Sequence, residues 1–424
     1  MKSSLLGVEP PALTMPQPID ILLTPRFLPE YGGSIRWLHE VYRRWPGPVR
    51  VVTHDYYNHP PRTPEFPDVP PRPATGDDVT DANLQMDRRD IFMRDWGVQS
   101  PGQLRRYARM TRAVGASFRQ SPVVRVHCGH AVPEVVSLLP LKWRYGDRLK
   151  VICYAHGEEI TACRSSRQLT FLMSRAHRVI DLMLANSRST VDLLHGAIPS
   201  DRLAIVHPGV EVAEFAGAEQ AGRQWRKEQK LEGRRIILTL GRLDPRKNHQ
   251  AVIRALAGLS GAFADLVYVV AGEGRQAESL RSLAAELQVS DRVRFLGRVD
   301  GSTRLALFGG CDLFVMPAVQ SGTDLEGFGI VFIEAAACGK PSVAGRVGGQ
   351  AEAVRDGCTG LVVDGGNQEE LVQALKRLLS DVELTGRLGR QARERAAELD
   401  WSRVVQRTVQ LVENMQQSAE AERA

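Results

Sequence analysis

Short aliphatic runs alternate with longer amphipathic segments along most of this chain. The runs at residues 19–24, 235–240 and 266–271 have the length and composition expected for strands buried inside a parallel sheet. Helical spacing follows the first run, with apolar residues at Ile35, Leu38 and Val41. This alternation predicts an α/β fold built on parallel sheets. Further strands are predicted at residues 50–54, 123–127, 149–154, 181–186, 203–207, 293–296, 312–317, 341–345 and 360–364.

The predicted strands divide into two comparable halves, joined by a polar segment that begins at residue 216. A chain of 424 residues exceeds the roughly 250–300 residues that one hydrophobic core usually serves. We therefore predict one domain at residues 19–215, a second at 216–400, and a final amphipathic helix at 401–417. Residues 1–18 contain several prolines and only short apolar patches, which predict a disordered tail and not a signal peptide.

The charge and cysteine content restrict the classes of partner. A net charge of +6 is compatible with nucleic acid, an anionic membrane or simple solubility. The chain carries no nucleic-acid-binding motif, so no nucleic-acid partner is predicted. A predicted helix carries clustered arginines, which indicate either a surface for anionic lipid or an ordinary solvated face; they are Arg105, Arg106, Arg109 and Arg112. The six cysteines show no CxxC spacing, which predicts a reducing cytoplasm and no structural zinc.

The stretch SGTDLEGFGIVFIE at residues 321–334 carries the strongest chemical signal. Its glycines predict a tight turn that opens a helix at Ile330, where free backbone N–H groups would attract a phosphate. Glu326 lies at the mouth of that helix, and Glu334 is expected about two turns inside it. Because carboxylates repel phosphate, hydroxyl groups of a ribose or a sugar are their better partners. The stretch indicates a sugar-nucleotide site; the plainer alternative is a helix-capping Glu326 and a solvated Glu334.

The segment EGFGIVFIE at residues 326–334 resembles the E-x7-E signature of the retaining glycosyltransferases of family 4, and AAACGKPSVAGRVGGQAE resembles that family's continuation. The resemblance implies the GT-B architecture, an α/β fold with two doubly wound Rossmann-like domains facing a central cleft. The first domain would bind the acceptor and the second the nucleotide-sugar donor, and the helix at 401–417 would pack back on the first. Glu334 would bind the donor ribose and Glu326 the sugar. Donor contacts are also implied for Gly327, Phe328, Gly329, Ile330 and Val331.

Four positions elsewhere match the same family. Gly33, directly before a predicted helix, resembles the glycine that faces the donor pyrophosphate. Arg242 and Lys247 lie in the loop GRLDPRKNH, where two cations could clamp a diphosphate or merely be surface charge; the family uses them for the diphosphate. His156 follows a predicted strand, where ligands of α/β sheets bind, and the resemblance implies a contact with the donor sugar. The implied catalytic residues are His156, Glu326, Arg242 and Lys247.

Three other classes of protein compete with this interpretation. GEGRQA at residues 272–277 fits the GxGxxA pattern of dinucleotide-binding proteins. The ribose-binding acid expected at the end of the next strand is missing, because that strand runs into Gly297, so a dehydrogenase is disfavoured. A GT-B nucleotide-sugar epimerase and a non-catalytic sugar-nucleotide-binding protein would share the donor site.

The resemblance implies transfer of a hexose, of mannose or glucose type, from a UDP-, GDP- or ADP-sugar to a glycan, lipid or small-molecule acceptor. No Asp-x-Asp stands at a predicted strand end, so we predict a metal-independent enzyme without a cofactor. The lead-in AVQSGTDLEGFG resembles mannosyltransferases that act on lipid-linked or inositol acceptors. We expect a cytoplasmic enzyme with peripheral contact at the inner face of an anionic membrane. The sequence leaves open the base, the sugar, the acceptor, the oligomeric state and the role of the proline-rich segment at 58–74.

Overall fold

The computed structural model describes residues 18–30, 32–60 and 81–421. Two parallel sheets with surrounding helices form two α/β halves within this range, which confirms the predicted fold class. Of the predicted disordered tail, only Pro18 is described. Most of the proline-rich segment at residues 58–74 also lies outside the described residues.

The first sheet has seven parallel strands in the order β3-β2-β1-β4-β5-β6-β7. Alternate residues of its central strand pack into different clusters, Ile21 and Leu23 on one face and Leu22 on the other. The strand is therefore buried on both faces, which explains its continuous apolar run. The strands are β1 Ile19–Leu23, β2 Val49–His54, β3 Leu84–Arg89, β4 Val124–Cys128, β5 Leu149–Ala155, β6 Leu182–Ala185 and β7 Leu203–Ile205.

Strand β3 is the one element of this sheet that the sequence analysis does not predict. It lies at the edge of the sheet and has the mostly polar sequence LQMDRR. Only Leu84 and Met86 pack against the core, and the polar side chains pair by charge: Arg50 on β2 donates from Nε to Asp87 at 3.1 Å. An edge strand with one solvated face needs no aliphatic run, so the hydrophobic pattern cannot reveal it.

The second sheet has six parallel strands in the order β10-β9-β8-β11-β12-β13. All six lie where the sequence predicts them, with ends that differ by at most one residue. They are β8 Arg235–Leu240, β9 Leu266–Ala271, β10 Val293–Gly297, β11 Leu313–Met316, β12 Ser342–Gly345 and β13 Gly360–Val363.

Helices connect the strands, and no helix among the described residues is both long enough and apolar enough to cross a membrane. The first half contains α1 Gly33–Tyr42, α2 Pro101–Gly115, α3 Val136–Tyr145, α4 Glu158–Arg164, α5 Arg167–His177 and α6 Arg188–Leu194. The second half contains α7 Ala218–Glu228, α8 His249–Gly258, α9 Ala277–Glu286, α10 Gly301–Gly310, α11 Ile330–Ala337, α12 Gln350–Ala353, α13 Gln368–Ser380 and α14 Val382–Glu398. The last helix is α15 Trp401–Ala421.

The chain passes between the two halves at two adjacent points. The backbone of Val210 accepts from Trp401 N at 3.0 Å and donates to Leu399 O at 3.0 Å. A side chain on Gly209 would lie 2.7 Å from Leu399 O, so only glycine allows the two crossings to pack this closely. Beyond the crossing, α15 buries Trp401 completely in the same cluster as residues of β1 and α1.

Both sheets contain a switch point, where successive connections run in opposite directions along the sheet. In the first sheet β1 lies between β2 and β4, and in the second β8 lies between β9 and β11. Ligands of open α/β sheets bind beyond the carboxyl ends of strands at such points. The fold therefore directs attention to the loops after β1, β8 and β11.

Candidate functional site

The predicted site residues follow strands at or beside these switch points. Gly33 comes after β1, Lys247 after β8, Glu326 after β11, and His156 directly after β5. A side chain on Gly33 would lie 4.0 Å from Ile330 Cδ1, so the starts of α1 and α11 face each other between the halves. The two loops thus form one crevice.

The turn before α11 needs glycine for two separate reasons. A side chain on Gly327 would lie 2.1 Å from the carbonyl oxygen of His156 and 2.5 Å from Asn186 Nδ2. Gly329 has φ +90°, a left-handed conformation that disfavours other residues. The first glycine permits contact between the halves, and the second directs the chain into the helix.

The N-termini of α1 and α11 carry no side-chain cap. Gly32 and Gly329 occupy the cap positions, and neither helix shows a side-chain hydrogen bond to its first turn. Free N–H groups and the positive end of the helix dipole favour an anion at such a position. Because two uncapped helix starts face each other, the space between them suits a group with more than one negative charge, such as a diphosphate.

Glu326 lies at the mouth of α11 and is only 8% exposed. Its Oε2 accepts from Arg246 Nη1 and from Lys247 Nζ, each at 2.6 Å. Burial opposes the charge of this carboxylate, but Lys247 and Arg246 outweigh burial and hold the pKa of Glu326 below its ordinary value. Burial lowers the pKa of Lys247, and the nearby Glu326 offsets this only in part. The three groups form a buried charged cluster with one net positive charge.

Arg246 is the member of this cluster that the sequence analysis does not assign. It lies in the short helical turn Pro245–Lys247, and Asn248, with φ +58°, anchors the turn by donating to the carbonyls of Pro317 and Gly365. The sequence places an arginine directly before Lys247, but nothing in that adjacency shows that both side chains point toward the same acid. The backbone turn directs both side chains toward Glu326.

Arg242 lies in the same loop but in a different environment. Its side chain is 69% exposed, and its Nε lies 3.3 Å from Asp244 Oδ2. A side chain on Gly241 would lie 3.5 Å from Lys247 Cε, so Lys247 packs beneath the start of this loop. Arg242 therefore stands at the solvent side of the cluster, where it can reach a ligand without disturbing the buried charges.

Glu334 is the fifth residue of α11, so it lies about 6 Å along the helix axis, a little over one turn. The helix begins at Ile330 as predicted, but the expectation of two turns is wrong, because the four steps from Ile330 to Glu334 cover only about one turn. The residue is 2% exposed, and its Oε1 accepts from Arg36 on α1 and from Arg304 on α10. Sequence reasoning did not identify either arginine.

His156 is buried directly after β5. Its Nε2 lies 3.1 Å from the carbonyl oxygen of Gly129, so this nitrogen carries a proton and donates it to that bond. Burial, with the neighbouring His130 ring 5.1 Å away, lowers the pKa of His156 to about 3. The imidazole is therefore neutral at pH 7, and its Nδ1 is available as an acceptor.

The remaining residues of the turn have mixed environments. Phe328 is 2% exposed and stacks on His207 with ring centroids 5.0 Å apart, so its side chain joins the two halves. Val331 is half-buried and packs against the second-half core. Contacts of Phe328 with a ligand would therefore come from its backbone.

The glycines of the GxGxxA pattern bring two loops together. A side chain on Gly272 would lie 1.9 Å from Gly241 O, and one on Gly274 would lie 2.7 Å from Leu243 N. The loop after β9 therefore packs directly on the loop that carries Arg242. This packing accounts for the pattern without a dinucleotide. Among the described residues, no three His, Cys, Asp or Glu side chains cluster so as to hold a metal ion.

Solved structures with the same overall fold include glycosyltransferases. Anabaena Alr3699/HepE in complex with UDP and glucose has a TM-score of 0.73 at 18% identity, covering 94% of this chain and 100% of that chain. Sucrose-phosphate synthase from Thermosynechococcus elongatus has a TM-score of 0.70 at 19% identity, covering 95% and 100%. At these identities the similarity concerns the fold, and it confirms the predicted GT-B architecture.

Sequence comparison gives the family. A family model described as Glycosyl transferases group 1 matches residues 222–395. A GDP-mannose-dependent alpha-(1-6)-phosphatidylinositol monomannoside mannosyltransferase from Mycolicibacterium smegmatis is 34% identical over 285 residues, covering 66% of this chain and 73% of that protein. A D-inositol 3-phosphate glycosyltransferase from Salinispora tropica is 32% identical over 294 residues, covering 66% and 57%. This chain is an enzyme that belongs to the group 1 glycosyltransferases.

Proposed function

We propose that this chain is a retaining, metal-independent mannosyltransferase of family 4 that uses GDP-mannose and acts on a phosphatidylinositol-type glycolipid. The observation that carries the proposal is the buried cluster of Glu326, Arg246 and Lys247 beside the uncapped start of α11. This arrangement offers an anion site and a hydroxyl-binding acid side by side. The choice of donor and acceptor follows the activity named for the Mycolicibacterium smegmatis relative.

In the proposed complex, the diphosphate lies between the starts of α1 and α11, with Arg242 and Lys247 stabilising the charge that accumulates as it leaves. Glu326 and the free Nδ1 of neutral His156 accept hydrogen bonds from sugar hydroxyls. The base lies near the loop after β10. Glu334 binds the ribose.

The chemical step exchanges one bond at the anomeric carbon for another on the same face of the sugar. The bond from C1 to the phosphate oxygen breaks as the bond from C1 to the acceptor oxygen forms. The departing phosphate oxygen takes the proton of the acceptor hydroxyl. Positive charge from Arg242, Lys247 and the helix N–H groups replaces the divalent ion that other enzymes use for the leaving group.

A donor and acceptor panel tests this proposal. The enzyme is incubated with UDP-, GDP- and ADP-sugars, with and without phosphatidylinositol mannoside or inositol phosphate, and free nucleoside diphosphate is measured. We expect GDP release from GDP-mannose only when the glycolipid is present. An epimerase would convert the donor without an acceptor, and a sensor would bind without turnover.

Two additions to the panel test stereochemistry and metal use. An α-linked product, identified by NMR, supports retention, since GDP-mannose is itself α-linked; a β-linked product contradicts it. Activity that survives EDTA supports metal independence. Loss of activity in EDTA, restored by Mg²⁺ or Mn²⁺, contradicts it.

We also propose that the first half contacts an anionic membrane peripherally, on the cytoplasmic side, through α2. The basic surface of α2 is smaller than its four arginines suggest, because Arg106 and Arg109 both pair with Asp90. Arg105 and Arg112 are exposed and have no partner among the described residues. We expect sedimentation with phosphatidylglycerol vesicles, and weaker sedimentation after Arg105→Gln with Arg112→Gln. Equal binding to phosphatidylcholine vesicles would contradict the proposal.

A further inference from the structure

Four charged side chains form a closed network between the two halves. Arg36 lies on α1, Arg304 on α10 and Glu334 on α11, and Glu214 lies in the short helical turn Val212–Phe215, just after the crossing at Val210. Each arginine donates from Nη1 to Glu334 Oε1. Each also donates from Nη2 to Glu214 Oε2, Arg36 at 3.4 Å and Arg304 at 3.2 Å. Both guanidinium groups therefore bridge the same two acids.

The burial of the four groups differs strongly. Glu334 is 2% exposed, whereas the side chain of Glu214 is 42% exposed and the two arginines lie between these values. A buried carboxylate without counter-charge is strongly unfavourable, so the two arginines matter most for Glu334. Glu214 is partly solvated and could lose its partners at little cost.

Arg304 and Arg36 approach Glu334 from different sides of the cleft. Arg304 belongs to the same half as Glu334 and lies over the ring of Phe215 at 5.6 Å, a cation–π contact within its own half. Arg36 belongs to the first half, three residues after Gly33. Contact between Arg36 and Glu334 therefore requires the two halves to be close together.

The two arginines occupy only one of the two oxygens of Glu334. Oε1 receives both donors, and Oε2 has no hydrogen-bond donor among the described residues. A carboxylate held by two donors at one oxygen has a fixed orientation, which leaves the other oxygen as a directed acceptor.

We propose that Arg36 and Arg304 are positioning residues that orient Glu334 Oε2 toward a ribose hydroxyl of the donor. This inference rests on the proposed function, in which Glu334 binds the ribose. Arg304 orients Glu334 even without the first half, because both residues belong to the second half. Arg36 contacts Glu334 only when the two halves are together, so it couples ribose binding to closure of the cleft.

The test is a thermodynamic cycle that combines side-chain and ligand changes. Binding of GDP, 2′-deoxy-GDP and 3′-deoxy-GDP is measured by calorimetry for the wild type, Arg36→Gln and Arg304→Gln. We expect the wild type to lose about tenfold in affinity when one ribose hydroxyl is removed, as for one lost hydrogen bond to a charged group. In Arg36→Gln and Arg304→Gln that loss should fall to about twofold, because Glu334 no longer holds its orientation.

Controls separate positioning from folding and from donor choice. Arg43→Gln, directly after the C-terminus of the same helix and paired with Glu40, should keep the wild-type response to ribose removal. Arg36→Lys should recover part of the response, and thermal unfolding shows whether each variant is folded. The Michaelis constant for GDP-mannose should rise in Arg36→Gln with the turnover number little changed.

Two outcomes would overturn the inference, and a third concerns the proposed function. A full tenfold loss in both arginine variants would show that Glu334 is positioned without them. Tighter GDP binding by Arg36→Gln would show that Arg36 competes with the ribose. Wild-type protein that binds neither GDP nor GDP-mannose would contradict the proposed donor itself.

Discussion

Glu326 and Glu334 belong to one turn and helix, and each is more than nine-tenths buried, but their counter-charges come from different parts of the chain. Glu326 is paired with Arg246 and Lys247, two neighbours in the loop after β8. Glu334 is paired with Arg304 of its own half and with Arg36 across the cleft. One acid is neutralised within one half, whereas the other depends on both.

This difference divides the site into one part that lies within the second half and one part that needs both halves. The cluster around Glu326 is complete when the second half folds, because all three groups follow adjacent strands of one sheet. The environment of Glu334 is complete only when α1 lies against it. The first arrangement suits a fixed grip on the diphosphate and the sugar, and the second suits an interaction that responds to closure.

The largest effect is expected when the buried cluster of Glu326, Arg246 and Lys247 is disrupted. Lys247→Met should lower the turnover number by about 10²–10³-fold, the usual result of removing one group that stabilises developing charge. It also leaves the buried Glu326 with Arg246 alone, so the unfolding temperature should fall as well. Steady-state kinetics and thermal unfolding are the measurements. Lys376→Met, at an exposed position on α13, is the matched control, and equal activity of the two variants would refute the role of Lys247.

The next effect compares the two acids directly. Glu326→Gln should lower turnover by about 10–100-fold, the value of one hydrogen bond to a charged group, while GDP affinity stays nearly unchanged. Glu334→Gln should do the reverse: it should weaken GDP binding and leave the turnover at saturation little changed. Kinetics and GDP calorimetry of both variants give the comparison. An equal loss of turnover and affinity in Glu326→Gln would undo this division of roles.

A smaller effect is expected at the exposed edge of the cluster. Arg242→Gln should weaken donor binding by about tenfold, as for one lost charged contact. Because its side chain is 69% exposed, the unfolding temperature should not change. Arg254→Gln on α8, also exposed, serves as control. A fall in stability without a change in donor binding would show that Arg242 has only a structural role.

The same comparison shows which features could be read from the sequence. The aliphatic strands β8 and β9 follow from local patterns, and Lys247 and Glu326 could be singled out because their motifs resemble those of a known family. Arg36 could not, because it is 298 positions away from Glu334 and nothing near either residue records their contact. The direction of Arg246 depends on a three-residue turn, and the polar strand β3 has no hydrophobic pattern. Local periodicity predicts elements, while contacts between halves require the folded chain.

His156 extends the comparison to a group that has no counter-charge, and its predicted effect is on stability alone. Burial, with His130 nearby, lowers its pKa to about 3, whereas an unfolded histidine titrates near 6.5. As pH falls from about 6.5 toward 3, the unfolded chain binds a proton that the folded chain does not, so this residue reduces stability by at most about 1.4 kcal/mol per pH unit. Glu326 affects stability at lower pH: its stabilising charge is present above about pH 4.5 and is lost only as pH falls through its lowered pKa.

Urea unfolding of His156→Gln between pH 7 and pH 5 should therefore show a shallower loss of stability than the wild type, with the exposed His195→Gln as control. Parallel pH profiles for the wild type and His156→Gln would mean that His156 is not held neutral, and the acceptor role of its Nδ1 would fail with that result.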